Sequence, residues 1–192
     1  MSPVNLVCFL KTEKQKTFGY DFRQNVEGYE AWDEVKFEEG VEYDAENTFE
    51  IKAEDMKAYA EGVMDPNPLF NDEEYAKNSP YGELVPHPLF LVQIAFWCLG
   101  THGHGNWIRT PGSRNPGQRI ELYESFHVGE VIHLKVRPYD RFIKRRKYYL
   151  KYALDYYNQG NVKKACWYVT LILPKTKEDI LKFAKGEHAL EA

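Results

Sequence analysis

The sequence predicts an α+β fold in which long antiparallel strands wrap one buried helix. Three observations predict it. The last third alternates apolar and polar residues over long runs, and period two is the signature of a strand with one buried face. The run PLFLVQIAFWCLG, residues 88–100, is apolar on nearly every side, so something must cover it. Ahead of that run, an amphipathic helix pattern is cut short by the proline-rich stretch DPNPLFND, Asp65 to Asp72.

Taken in order, residues 1–30 show weak periodicity and no motif. They read as an arm that packs on the domain or on a partner, with the arm ending at 36 and one domain filling 37–192. VEYDAENTFEIK alternates loosely and reads as a strand. AEDMKAYAEGV follows, with Met56, Tyr59, Ala60 and Val63 on one helical face and acidic residues in the first turn, where the dipole favours them. DPNP ends that helix, because each proline removes a donor and restrains the residue before it. DEEYAKN reads as a short helix and SPYGELVPHP as a loop. In the apolar run, Pro88 suits a first helical turn and Gly100 a C-cap. THGHGNWIRTPGSRNPG reads as a long loop.

Three strands follow. Ile132, Leu134 and Val136 share a face, as do Tyr148, Leu150, Tyr152, Leu154 and Tyr156, and again Trp167, Val169 and Leu171. NQGN joins the last two strands as a hairpin. Thr176 can cap a final helix, TKEDILKFAK, which Gly186 ends.

Composition narrows the function. The 192 residues are 43% hydrophobic and 28% charged, ordinary for a globular domain. An aromatic content of 15%, led by 14 tyrosines, predicts broad sheet surfaces or a large interface. The formal net charge of −4 argues against nonspecific nucleic-acid binding. Cys8, Cys98 and Cys166 are far apart and form no metal or disulfide pattern. No apolar run reaches the roughly 18 residues of a membrane span, and the start has no signal-peptide pattern. A cytoplasmic protein is expected.

The run from Ala58 to Leu69, AYAEGVMDPNPL, resembles the hydratase signature of the MaoC-like, (R)-specific enoyl-CoA hydratases and dehydratases. It is closer still to the N-terminal MaoC dehydratase-like type. YGELVPHPLF and ESFHVGEVIHLKVRPYDRF continue the resemblance in the right order, over roughly residues 37–174. The resemblance implies a hotdog fold, a sheet wrapped around a central helix, and acyl thioesters of coenzyme A or acyl carrier protein as substrate carriers, with no permanently bound cofactor. In the active form an aspartate and a histidine of the loop act on one water, and a backbone N–H at the start of the buried helix polarises the thioester oxygen.

On that pattern Asp65 matches the carboxylate and Asn67 the asparagine that holds the loop. Phe70 stands where the histidine belongs and has no proton to exchange. Losing a general acid/base costs about 10²–10⁴ in rate. Pro88, with no N–H, stands at the glycine beside the helix start. The loss of one oxyanion donor costs roughly 2.7–4 kcal/mol. Asn67, Phe70 and Pro88 are thus left as pocket-lining rather than catalytic positions.

Two alternatives attach to the polar residues. His87 either takes the histidine's role or is a loop histidine bonded to backbone. Asp65 either keeps a catalytic role or caps the loop by accepting N–H bonds. His102 and His104 read as solvent-exposed loop residues rather than a metal pair, since no third ligand is in sight. Arg141, Lys144, Arg145, Arg146 and Lys147 form the one dense basic cluster. It suits either the phosphates of a carrier or a charged, solvated strand edge. Arg114 and Arg119 are weaker candidates of the same kind. Cys98, inside the buried helix, reads as core.

The expectation is a noncatalytic subunit that shapes the substrate pocket of a heteromeric hydratase or dehydratase, beside a catalytic MaoC-like hotdog chain. The alternatives are an active homodimer using Asp65 with a replaced second group, and a noncatalytic acyl-thioester binding protein.

Overall fold

The computed structural model describes residues 10–17, 26–38, 40–101 and 104–187. Cys8, most of the short apolar start and His102 lie outside the described residues. The elements, in chain order, are α1 (Glu13–Thr17), a 3-10 turn (Val26–Gly28), β1 (Tyr43–Asp44), β2 (Phe49–Glu50), α2 (Ala53–Gly62), α3 (Pro68–Asn71), α4 (Glu73–Lys77), α5 (Phe90–Cys98), a 3-10 turn (Asn106–Arg109), β3 (Arg114–Leu122), β4 (Val131–Lys144), β5 (Lys147–Tyr157), β6 (Lys163–Leu173) and α6 (Lys177–Ala184). The chain divides into two compact units. One comprises Met1–Tyr20, Glu50–Leu91 and Ser125–Glu130, and the other Asp21–Phe49, Val92–Glu124 and Val131–Ala192.

The second unit holds the antiparallel sheet, in the order β1-β4-β5-β6-β3, with β2 also paired to β4. Its inner face is the one the alternation predicts. Val136 lies opposite Leu154, and Leu154 opposite Trp167. Ile132, Leu134, Val136, Leu150, Tyr152, Leu154, Tyr156, Trp167, Val169 and Leu171 are all buried. Each such aliphatic side chain contributes about 1.5–3 kcal/mol on leaving water. Ile94, Ala95, Cys98 and Leu99 of α5 and the turn after it are buried too. The Cys98 thiol donates to the Ile132 carbonyl at 3.8 Å, which seats the helix against β4. Gly100 takes a φ of 61°, the left-handed geometry of the C-cap that its position predicts.

Three segments differ from the sequence reading. The strand expected over residues 41–52 is two short strands, because the chain between them leaves the sheet to serve the end of α5. Asn47 N–H donates to the Cys98 carbonyl at 2.9 Å, and Trp97 Nε1–H donates to the Thr48 carbonyl at 3.1 Å. The last carbonyls of a helix need such donors. Second, β3 starts inside the stretch read as loop. Its Pro116 and Gly117 are tolerated because β3 is an edge strand whose register slips between Arg114 and Gly117. Third, α5 is not enclosed all round: Val92, Gln93 and Phe96 stay half-buried. The final helix forms as expected, with a reciprocal capping box between Thr176 and Asp179.

Candidate functional site

The loop that carries the hydratase-like motif belongs wholly to the first unit, as does the segment that carries His87. Helix α2 delivers it. Met64 takes a φ of 58°, Met64 N–H donates to the Glu61 carbonyl at 3.0 Å and Asp65 N–H to the Ala60 carbonyl at 3.0 Å. This is a Schellman cap with methionine at the position usually held by glycine. It turns the chain sharply and fixes the backbone of Asp65.

The side chains of the motif then bond to their own loop. Asp65 Oδ1 accepts from Asn67 N–H at 3.0 Å, and Asn67 Oδ1 accepts from Leu69 N–H at 3.1 Å, capping the single turn of α3. Asn71 Nδ2 donates to the Asp65 carbonyl at 3.0 Å and the Asn67 carbonyl at 3.2 Å. Asp72 caps α4 by accepting from Glu74 and Tyr75. The Leu69 carbonyl takes Val85 N–H at 3.0 Å, which ties the loop to the segment leading into His87.

That tie sets His87 beside Asp65. His87 Nε2 lies 3.6 Å from Asp65 Oδ2, with the two side chains 17% and 35% exposed. The separation is just beyond a direct hydrogen bond. His87 Nδ1 accepts from Leu89 N–H at 3.1 Å, so a neutral ring carries its proton on Nε2, facing the carboxylate. The imidazole is walled by aromatic rings: Tyr59 at 5.5 Å and Phe70, edge-on, at 5.4 Å. Phe70 is 8% exposed. Burial pushes the Tyr59 phenol up from its ordinary value, so it stays protonated at neutral pH.

The start of the helix has few donors to offer. Pro88 has no N–H, Leu89 N–H is taken by His87 Nδ1, and Phe90 N–H donates to the His87 carbonyl at 2.8 Å. Asp65, Asn67, Phe70, His87 and Pro88 therefore belong to one local structure, in which Asp65 has two contacts. Oδ1 caps the loop, while Oδ2 faces an imidazole. Sequence reasoning missed Tyr59 as a wall of the site. Its only signal was its helical face shared with Ala60.

The basic cluster lies in the second unit, at the tip of the β4–β5 hairpin. Arg141 stands apart from it in role. Its guanidinium stacks on Trp32 at 3.7 Å and donates to the Val35 carbonyl at 3.1 Å. Lys144, Arg145, Arg146 and Lys147 are exposed. Arg145 and Arg146 form the turn of the hairpin, and Lys144 and Lys147 are the paired strand ends beside it. Arg119 stacks on Tyr168 at 4.3 Å and pairs with Glu121. His104 stacks on Tyr43 at 3.9 Å and lies 3.3 Å from Glu30. Among the described residues no group of side chains could hold a metal ion. Burial pushes the Cys98 thiol up to about 12, so it is a core thiol rather than a thiolate nucleophile. No helix among the described residues is long and apolar enough to cross a membrane.

Comparison with known proteins agrees with this architecture. The family model described as "FAS1-like, dehydratase domain region" matches residues 38–146, more than half of the chain. A 3-hydroxybutyryl-CoA dehydratase of Methylorubrum extorquens is 26% identical over 98 residues, 51% of this chain and 59% of that protein. The match therefore spans less than two thirds of that relative. Among solved structures, the unliganded R-hydratase PhaJ1 of Pseudomonas aeruginosa superposes with a TM-score of 0.61 at 18% identity, covering 76% of this chain and 86% of its own. A chain of the HadBC (3R)-hydroxyacyl-ACP dehydratase complex of Mycobacterium tuberculosis gives 0.59 at 17% identity, covering 69% and 94%. At that identity the two structures speak for the fold, which is the hotdog fold expected from the sequence. With its sheet, central helix and loop motif accounted for, the chain belongs to the FAS1-like dehydratase region family, among the MaoC-like hotdog dehydratases.

Proposed function

We propose that this chain is a noncatalytic subunit of a heteromeric enoyl-thioester hydratase or 3-hydroxyacyl-thioester dehydratase. In this reading it shapes the acyl pocket beside a catalytic MaoC-like hotdog chain, and the substrate is carried by coenzyme A or acyl carrier protein. The observation that carries the reading is Phe70. Its buried ring stands at the position of the loop histidine and packs edge-on against His87, so no proton can be exchanged there. The helix start adds support, because Pro88 lacks a donor and the next two N–H groups are taken by His87. A thioester oxygen placed there lacks the donor that lowers its barrier. The HadBC neighbour is a complex by its description, which makes a hotdog partner a natural expectation. The test is co-expression with a candidate catalytic subunit, followed by enoyl-CoA hydration assays on each chain and on the pair.

A second reading rests on a specific distance, the 3.6 Å between His87 Nε2 and Asp65 Oδ2. Here His87 Nε2–H holds the attacking water and Asp65 Oδ2 takes its proton. Hydroxide adds to C3 of the enoyl group, and the same proton passes to C2. Asp65→Asn and His87→Ala each abolish turnover by the isolated chain if this reading holds. They leave the partner's turnover within a few fold if the first one does.

A further inference from the structure

The strained basic hairpin opens onto a cavity that the first site does not use. The cavity, of about 270 Å³, is lined by Arg114, Arg146, Lys147 and Lys175 together with Tyr148, Phe183 and others of the second unit. Four cations and one carboxylate, Asp179, face this space, in a chain whose formal net charge is −4. Asp179 is already engaged, since its Oδ2 accepts from Thr176 N–H at 3.0 Å and Oγ1–H at 2.9 Å. Arg114, Lys144, Arg145, Arg146 and Lys147 have no carboxylate within ion-pair distance among the described residues.

The backbone holds these cations under strain. Arg145 and Arg146 take φ of 49° and 58°, the left-handed region of a two-residue turn that strongly prefers Asn-Gly. Four like charges in a row on such a turn oppose stability twice, by sterics and by repulsion, and strain of this kind collects at functional sites. The walls are apolar and aromatic. Trp32 supports Tyr148 from 5.1 Å, and Lys175 Nζ sits 5.9 Å over the Tyr148 ring. Gly112, with φ of 87°, keeps one wall open, because a Cβ there would lie 3.1 Å from the Phe183 ring. An arginine rim matches phosphate geometry, and an aromatic wall suits a planar ring.

The geometry points to a binding site for a phosphate ester with a planar body, a nucleoside phosphate, in the cavity between the β4–β5 hairpin tip, Arg114 and Lys175. Nucleotide binding here does not depend on whether the first site turns over, and only the assignment to a carrier end rests on the proposed function. A walled cavity favours a small molecule over a flat protein contact. Such a group could be the nucleotide end of a thioester carrier or a free nucleotide.

Titration calorimetry on the purified chain at fixed ionic strength tests the inference, with adenosine 3′,5′-bisphosphate, AMP, adenosine and inorganic phosphate as probes. Saturable binding of either nucleotide, weakened about tenfold or more by Arg114→Ala and by Arg145→Asn/Arg146→Gly, is the expected result. Tighter binding of the bisphosphate assigns the site to the carrier end, and equal binding assigns it to free nucleotides. The hairpin variant carries the favoured turn sequence, so its Tm rises while binding falls, which separates lost binding from lost folding. Arg119→Ala, outside the cavity, leaves binding unchanged. The inference is overturned by the absence of saturable nucleotide binding, by affinity indifferent to both variants, or by inorganic phosphate or adenosine binding as tightly as the nucleotides. It is also overturned if an acidic carrier protein binds this face when no nucleotide does.

Discussion

Restoring the two missing chemical groups should restore part of the chemistry. Phe70→His returns an imidazole to the loop, and Pro88→Gly returns an N–H to the start of α5. A general acid/base supplies about 10²–10⁴ in rate, and one oxyanion donor about 10²–10³. If the two deficits are independent, the double variant recovers on the order of 10⁴–10⁷ relative to a chain lacking both, and each single variant only its own share. The structure sets the cost. Phe70 is 8% exposed and its ring meets His87 at 5.4 Å, so a ring of similar shape keeps that contact but buries polar nitrogens, at about 1–3 kcal/mol. The assay follows loss of the enoyl-thioester absorbance of crotonyl-CoA, with circular dichroism confirming that each variant is folded. A folded double variant that is no faster than the wild type would refute the reasoning. So would a wild-type chain already turning over at an enzyme-like rate.

Met64→Gly relieves a left-handed methionine that costs about 1–2 kcal/mol; against the roughly 0.5–1 kcal/mol of extra glycine entropy, the net gain is about 0.5–1 kcal/mol. Calorimetry should read that as a Tm rise of about 1–4 °C. Thr176→Ala removes the capping box of α6 and should cost about 1 kcal/mol, a Tm drop of about 2–4 °C. Asp155, 3% exposed, lies 2.8 Å from Lys163 and 3.2 Å from Arg137. Burial pushes its carboxyl up, but hydrogen bonds from Lys163 and Cys166 and the charges of Lys163 and Arg137 hold it net below its ordinary 3.8. Its stabilisation is therefore fully present above the ordinary carboxyl range and is lost as pH falls through the lowered value. Asp155→Asn should cost about 1–3 kcal/mol at pH 7, with both cations partly solvated. Denaturant melts of wild type and variant should converge as pH falls through that window, and a gap independent of pH would contradict the assignment.

Most of the sheet was legible because its signal is local. Ile132, Leu134 and Val136 must face one way whatever surrounds them, and so must the alternating residues of β5 and β6. The edge strand β3 was not legible. Pro116 and Gly117 read as loop residues, and only their place on an edge makes them strand-compatible. The break between β1 and β2 was hidden for a different reason: Asn47 and Thr48 serve the end of α5, some 50 positions further on. At the site, the motif announced Asp65, Asn67 and the loop shape. That His87 would face Asp65 depended on the Leu69–Val85 backbone bond, a contact across sixteen residues with no periodicity to betray it. The basic run was plain in the sequence, but Arg114 and Lys175 joined it only through the pairing of β3, β5 and β6.

The central claim is that this chain keeps the loop but not the chemistry. Crotonyl-CoA hydration measured on the purified chain, and again on the same chain co-expressed with a catalytic MaoC-like hotdog subunit, tests it most directly. The account predicts background rates for the chain alone and turnover for the pair that survives Asp65→Asn in this subunit. Enzyme-like turnover by the isolated chain, abolished by Asp65→Asn or His87→Ala, would contradict it.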